Sequence, residues 1–76
     1  MTNMTPQLGD VVIFEAKDGH PETRYPIIRE ARSGPLNWRF FTLRNDSDKK
    51  YPTFVAIAQA LTGRRFVRNG QEGVYA

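Results

Sequence analysis

His20 is the one histidine in the chain, and it stands between Gly19 and Pro21. A general base needs a shielded, pre-oriented setting, whereas Gly-His-Pro is turn chemistry. Ser33 and Ser47 both fall in loop-forming stretches, so neither has the base and orienting group that nucleophilic catalysis requires. With no cysteine in the chain, thiolate nucleophiles, thiolate zinc sites and disulfides are excluded. Asp46-x-Asp48 lacks the later oxygen ligands and glycine of a calcium loop and reads as a turn closing a strand. Glu15-x-x-Asp18 with Glu22 reads as a solvated acidic cluster. Gly70-x-x-Gly73 belongs to a hairpin rather than to a phosphate-binding loop. These residues predict no catalytic site, no metal site and no cofactor. An enzyme built on this chain would need a cofactor that the sequence does not advertise.

What remains is arginine interleaved with aromatic residues. One stretch reads Trp38-Arg39-Phe40-Phe41-Thr42-Leu43-Arg44 and another Arg64-Arg65-Phe66-Val67-Arg68. Aromatic rings beside arginines can stack bases while the guanidinium groups hold phosphate. A small domain also needs its aromatics for the core, and that favours a buried Trp38–Phe40 stripe. The cations are the stronger candidates, because their heads are costly to bury unpaired. Arg39, Arg44, Lys49, Lys50, Arg64, Arg65 and Arg68 are therefore the expected nucleic-acid contacts. The net charge is +3, but residues 1–23 carry −3 and residues 24–68 carry +7. A basic middle suits an anionic partner and equally suits a solvated surface.

The elements that must position these groups can be read from pattern. Seventy-six residues make one domain with a thin margin of stability. Residues 1–8 read as a flexible arm and 9–76 as a single small α+β domain. A first strand runs from Val11 to about Ala16, closed by the Asp18-Gly19 turn. A second runs from about Arg24 to Arg32, with Tyr25, Ile27 and Ala31 on one face. Pro26 cannot donate to a ladder, which argues for an edge or a bulge. After Ser33-Gly34-Pro35, a third strand from about Leu36 to Arg44 points Trp38, Phe40 and Thr42 one way and Arg39, Phe41 and Leu43 the other. Thr53 can cap a short helix, since Phe54, Ile57, Ala58 and Leu61 recur at helical spacing. Gly63 would end that helix in the left-handed conformation. Arg64 and Arg65 would then either compensate its dipole or contact phosphate. Asn69-Gly70 marks a C-terminal hairpin. The expected order is β-β-β-α-β-β, a small antiparallel sheet with the helix packed across it. Phe54, Ile57, Ala58 and Leu61 should face Val12, Phe14, Ile27 and either Trp38–Phe40 or Phe41–Leu43, so Ile57→Asp should unfold the domain.

The stretch Tyr51-Pro52-Thr53-Phe54-Val55-Ala56-Ile57-Ala58-Gln59-Ala60-Leu61-Thr62-Gly63-Arg64-Arg65-Phe66 resembles a Tyr-x-Ser/Thr-x-x-Ala-Ile-Ala-x-x-Leu-Thr-Gly helix signature. That signature occurs in small phage and mobile-element domains related to the restriction-associated RAMA domain. The likeness covers sixteen residues. It implies association with DNA and a phage-like origin, and it supplies no catalytic residue. The functional expectation is a small nucleic-acid-binding module working through a basic, arginine-rich surface, with DNA as partner. The alternative is a protein-binding regulator that inhibits a host defence or transcription complex. The N-terminus lacks a basic and apolar leader and no apolar run approaches a membrane span, so a soluble cytoplasmic protein without a membrane partner is expected.

Overall fold

The computed structural model describes residues 4–76; residues 1–3 of the expected arm lie outside the described residues. Six strands form: β1 (Val11–Phe14), β2 (Thr23–Ser33), β3 (Trp38–Arg44), β4 (Thr53–Ile57), β5 (Arg65–Arg68) and β6 (Gln71–Val74). They build a sheet in the order β4-β3-β2-β1-β5-β6, with every neighbouring pair antiparallel. A single 3-10 turn, Ala58–Leu61, separates β4 from β5.

The expected α+β architecture is therefore corrected: no α-helix occurs among the described residues. Thr53-Phe54-Val55-Ala56-Ile57 is a strand. Its residues satisfy a period of two as well as a helical one, a known ambiguity of short apolar runs. Pairing with β3 decides the matter, because Thr, Val, Ile and Phe suit a pleated surface. Phe54 and Ala56 turn inward against Leu43 and Phe41, while Val55 and Ile57 stand opposite Thr42 and Phe40 on the outer face. Ile57 thus leaves the core position expected of it. The chain then turns through the 3-10 segment, and Gly63 follows at φ +84°. Its N–H donates to the Tyr75 carbonyl at 2.9 Å. Dipole compensation by Arg64 and Arg65 has no helix to act on.

β2 holds the sheet together by changing partners. Thr23–Pro26 pair with β1 and Ile27–Ser33 pair with β3, with a register shift between Ile27 and Arg29. Ile27 donates its N–H to the Asp10 carbonyl at 2.8 Å and accepts from Gly9 at 3.1 Å. The Pro26 nitrogen, one residue earlier, faces the opposite side at the point where pairing passes from β1 to β3. A missing donor costs nothing there. The bulge at Ile28 then exchanges the faces of everything after it. Tyr25 and Ile27 point to the core, but Ala31 pairs with Phe40 on the outside and Glu30 with Phe41 on the inside.

The core gathers Val12, Ile27, Phe41, Leu43, Leu61, Phe66 and Tyr75, bordered by Phe14, Tyr25, Phe54, Ala56 and Ala58. Phe14, Tyr25 and Phe54 meet edge to face at centroid distances of 5.1 to 6.0 Å, an arrangement favoured by ring quadrupoles. The buried aromatic of β3 is Phe41, so the expected Trp38–Phe40 core stripe is overturned. Asn69 and Gly70 adopt φ of 52° and 78°, the tight turn that matches strand twist. Met4 bridges Tyr75 in parallel, and the Ala76 N–H donates to the Met4 carbonyl at 3.0 Å.

Candidate functional site

Register places ten residues on the outer face of β2–β3–β4. They are Arg29, Ala31 and Ser33 from β2, Trp38, Phe40, Thr42 and Arg44 from β3, and Thr53, Val55 and Ile57 from β4. Phe40 is flanked by Ala31 and Ile57, and Thr42 by Arg29 and Val55. Trp38 is 37% exposed and Val55 63%; Phe40 and Ile57 are half-buried. Trp38 and Phe40 are one i, i+2 step apart, about 6.7 Å along the strand. The face carries no carboxylate. It is an apolar, aromatic strip with two guanidinium groups, Arg29 and Arg44, towards its Thr53 end.

The seven cations expected to bind nucleic acid do not share one surface. Arg68 is drawn inward: its Nε lies 2.7 Å from Asp10 Oδ1 and its Nη2 2.8 Å from Oδ2. Nη2 also donates to the Thr5 carbonyl at 3.0 Å, and the guanidinium covers the Phe66 ring at 4.9 Å. Arg65 is held by Glu72 and Glu15, both at 2.8 Å, with Glu22 at 3.8 Å. The hydrogen bonds it donates to Glu72 and then to Glu15 push its pKa further up. Arg39 sits 2.7 Å from Glu30, donates to the Pro6 carbonyl at 2.8 Å and lies over Phe41. These three are structural pairs. Arg64 lies 4.0 Å over the Phe14 ring and has no carboxylate partner among the described residues. The only ion pair of Arg44 among the described residues is with Asp46, at 3.0 Å, with both side chains at least half exposed. Such a pair is worth little and exchanges readily. Lys49 and Lys50 are exposed in the β3–β4 loop, where Lys50 lies 5.4 Å from the Tyr51 ring. That loop is shaped by Asp48, whose carboxylate accepts from the N–H groups of Lys50 and Tyr51 at 3.0 Å. Arg44, Lys49 and Lys50 thus gather at the Thr53 end of the outer face.

Two cations were missed. Arg29 and Arg32 are exposed and have no ion pair among the described residues. Arg29 reaches the outer face only because of the bulge at Ile28; Pro26 pointed to an edge or a bulge without fixing which, or at which residue the faces exchange. Asp10 was also missed as a centre. It is 1% exposed and accepts from Arg68, from the Tyr75 hydroxyl at 2.7 Å and from the Gln7 N–H at 3.0 Å. Burial works to raise its pKa, but the hydrogen bonds from Arg68, Tyr75 and Gln7 outweigh burial and hold it below the ordinary value. Burial, then the bond to Asp10, pushes the Tyr75 hydroxyl well above its usual range. No buried side-chain polar atom among the described residues is left without a partner, and the cluster ties the N-terminal segment to β5 and the C-terminus. His20 lies in the Lys17–His20 hairpin turn, exposed.

Comparison of the chain with family models, curated proteins and solved structures finds no match to any of them. No helix among the described residues is long and apolar enough to cross a membrane.

Proposed function

We propose that this chain is a nucleic-acid-binding module that lays single-stranded nucleic acid across the outer face of β2–β3–β4. Trp38 and Phe40 stack successive bases, and Arg29, Arg44, Lys49 and Lys50 hold the phosphates. The observation that carries the reading is the outward placement of Trp38 and Phe40 in a domain short of core material. Trp38 is left exposed on a sheet face that carries no carboxylate, with Arg29, which has no ion pair among the described residues, and the exposed Arg44 at the other end of that face. An exposed aromatic strip of this kind marks an interaction surface. Stacking on such a platform tolerates any base, because each has a π-face. DNA is the form to which the Tyr51–Phe66 resemblance points.

Fluorescence anisotropy with labelled single-stranded and duplex oligonucleotides, at low and physiological salt, tests this. Binding to single strands should weaken steeply with salt and fall in Trp38→Ala while surviving in Arg65→Ala. No binding at low salt, or equal loss in both variants, would remove the proposal.

A second reading rests on the free edge of β4. The Asn45 N–H donates to the Pro52 carbonyl at 2.7 Å, which by alternation turns the backbone groups of Thr53, Val55 and Ile57 away from β3. This edge has neither charge nor proline, so an extended segment of a regulated protein can add to it. Protein captured by the chain from nuclease-treated lysate, and lost on Val55→Pro, would favour this reading.

A further inference from the structure

Beside Trp38, at the open end of the sheet, the β2–β3 hairpin overhangs the 3-10 turn and leaves a groove of about 360 Å³. Arg32, Leu36, Asn37 and Trp38 come from the hairpin, and Ala58 and Gln59 from the turn. Arg39 also borders it, but its charge is answered by Glu30 at 2.7 Å. Arg32, opposite Arg39 in the ladder, has no carboxylate partner among the described residues, and no carboxylate lines the groove. The groove is therefore electropositive through one guanidinium. Its aromatic wall is Trp38, its apolar contacts are Leu36 and Ala58, and its polar groups are two exposed amides, Asn37 and Gln59. Each amide offers both a donor and an acceptor.

A ligand that matches all of these is flat, anionic and edged with both donors and acceptors, which describes a nucleotide. An amine finds no counter-charge here, and a purely apolar ligand leaves Arg32 desolvated and unpaired. We infer that this groove holds one nucleotide of the bound single strand, its base against Trp38, its hydrogen-bonding edge on Gln59 and Asn37, and its phosphate on Arg32. The inference rests on the proposed nucleic-acid reading and deepens it. The strip along β3 supplies stacking without sequence preference, and the groove beside it supplies the preference, because single-stranded bases are read along their edges by such side chains.

The test uses the full chain and four short single-stranded oligonucleotides that differ in one base. Anisotropy measures total binding, fluorescence of the sole tryptophan reports contact at Trp38, which strip and groove share, and the base preference reports the groove alone. One base should be preferred about fivefold or more, as a good side-chain–base pair allows. Gln59→Ala, at an exposed position that leaves the fold intact by circular dichroism, should collapse that preference to within about twofold while total binding persists. Arg32→Ala should weaken all four oligonucleotides together and reduce the salt slope by about one. Equal binding of the four, or a ranking unchanged in Gln59→Ala, overturns the groove and leaves the stacking face standing. Failure of every oligonucleotide to bind at low salt overturns both.

Discussion

Strands β3 and β5 both interleave arginine with aromatic residues, Trp38-Arg39-Phe40-Phe41 in one and Arg65-Phe66-Val67-Arg68 in the other. On β5 the arginines are consumed: Arg68 by Asp10, fifty-eight residues away, and Arg65 by Glu15, fifty residues away. Phe66 is buried and stacks on Tyr75 at 4.2 Å. On β3 the alternation is split by the sheet. Phe41 goes to the core, Arg39 pairs with Glu30, and Trp38 and Phe40 face outward with Arg44. The same local chemistry builds the protein in one place and remains free for a ligand in the other. The difference is made by carboxylates that the fold delivers, Asp10 and Glu15 from far along the chain and Glu72 from across the β5–β6 hairpin, not by the strand itself.

The sharpest way to break this contrast is to remove the cation on each side. Arg68→Ala should cost about 3–5 kcal/mol in urea or thermal unfolding, because it leaves Asp10 charged and buried. A domain of this size holds about 4–11 kcal/mol in all, so the variant should be close to unfolded. Arg44→Ala, removing an exposed pair, should cost under about 0.5 kcal/mol. A loss under about 1 kcal/mol for Arg68→Ala would mean the Asp10 cluster is not structural. The same cluster sets the response to pH. Asp10 binds its proton more readily in the unfolded chain, so its stabilisation is present above about pH 4 and is lost as pH falls through its lower folded value. Tyr75 acts on the other limb: its contribution is present below about pH 10 and is lost as pH rises beyond that. Asp10→Asn should flatten the acid limb.

Packing on β5 is tested next by Gly73→Ala. Gly73 pairs with Phe66, and a Cβ there would stand 2.6 Å from the Phe66 ring. The ring is pinned by its stack on Tyr75, so the expected loss is about 1–3 kcal/mol. An unchanged melting temperature would show that Phe66 can shift, and that β5 is less fixed than its contacts indicate.

On β3 the expected effect moves from stability to binding. Trp38→Ala should change unfolding free energy by about 0.5 kcal/mol yet weaken single-strand binding by about 1–3 kcal/mol, or about 5- to 150-fold. A large loss of stability without a loss of binding would transfer Trp38 to the structural side and erase the contrast.

How much of this was legible follows the range of the forces involved. An apolar run located β1, alternation located β2 and β3, and Asn69-Gly70 located the C-terminal hairpin and its turn. Gly63 does take a positive φ, but after a 3-10 turn and not as the cap of the helix expected there. Thr53–Leu61 was misread because its residues satisfy both periods, and only the presence of β3 alongside selects the strand. The face of Arg29 and Ala31 depends on one bulged residue, Ile28, set by the handover of β2 from β1 to β3. Arg65 and Arg68 were candidates for phosphate because Glu15 and Asp10 lie fifty and fifty-eight residues away, and Glu72 meets Arg65 only once β5 and β6 pair. Arg44, Lys49 and Lys50 stand near the proposed strip because they border β3 directly.

The smallest effect settles the largest disagreement between sequence pattern and structure. A helix over Thr53–Leu61 would carry Ile57 into the core beside Phe54, and Ile57→Asp would then bury an unpaired charge and unfold the domain. In the strand, Ile57 stands opposite Phe40 on the outer face, where a carboxylate keeps its water. The expected cost is about 1 kcal/mol, the span of strand preference in host proteins, read as a small shift in a cooperative melt. The new carboxylate would also lie on the face assigned to phosphate, so binding to single strands should fall by repulsion while the fold persists. An unfolded Ile57→Asp variant would restore the helix and, with it, bury the strip on which the proposed function depends.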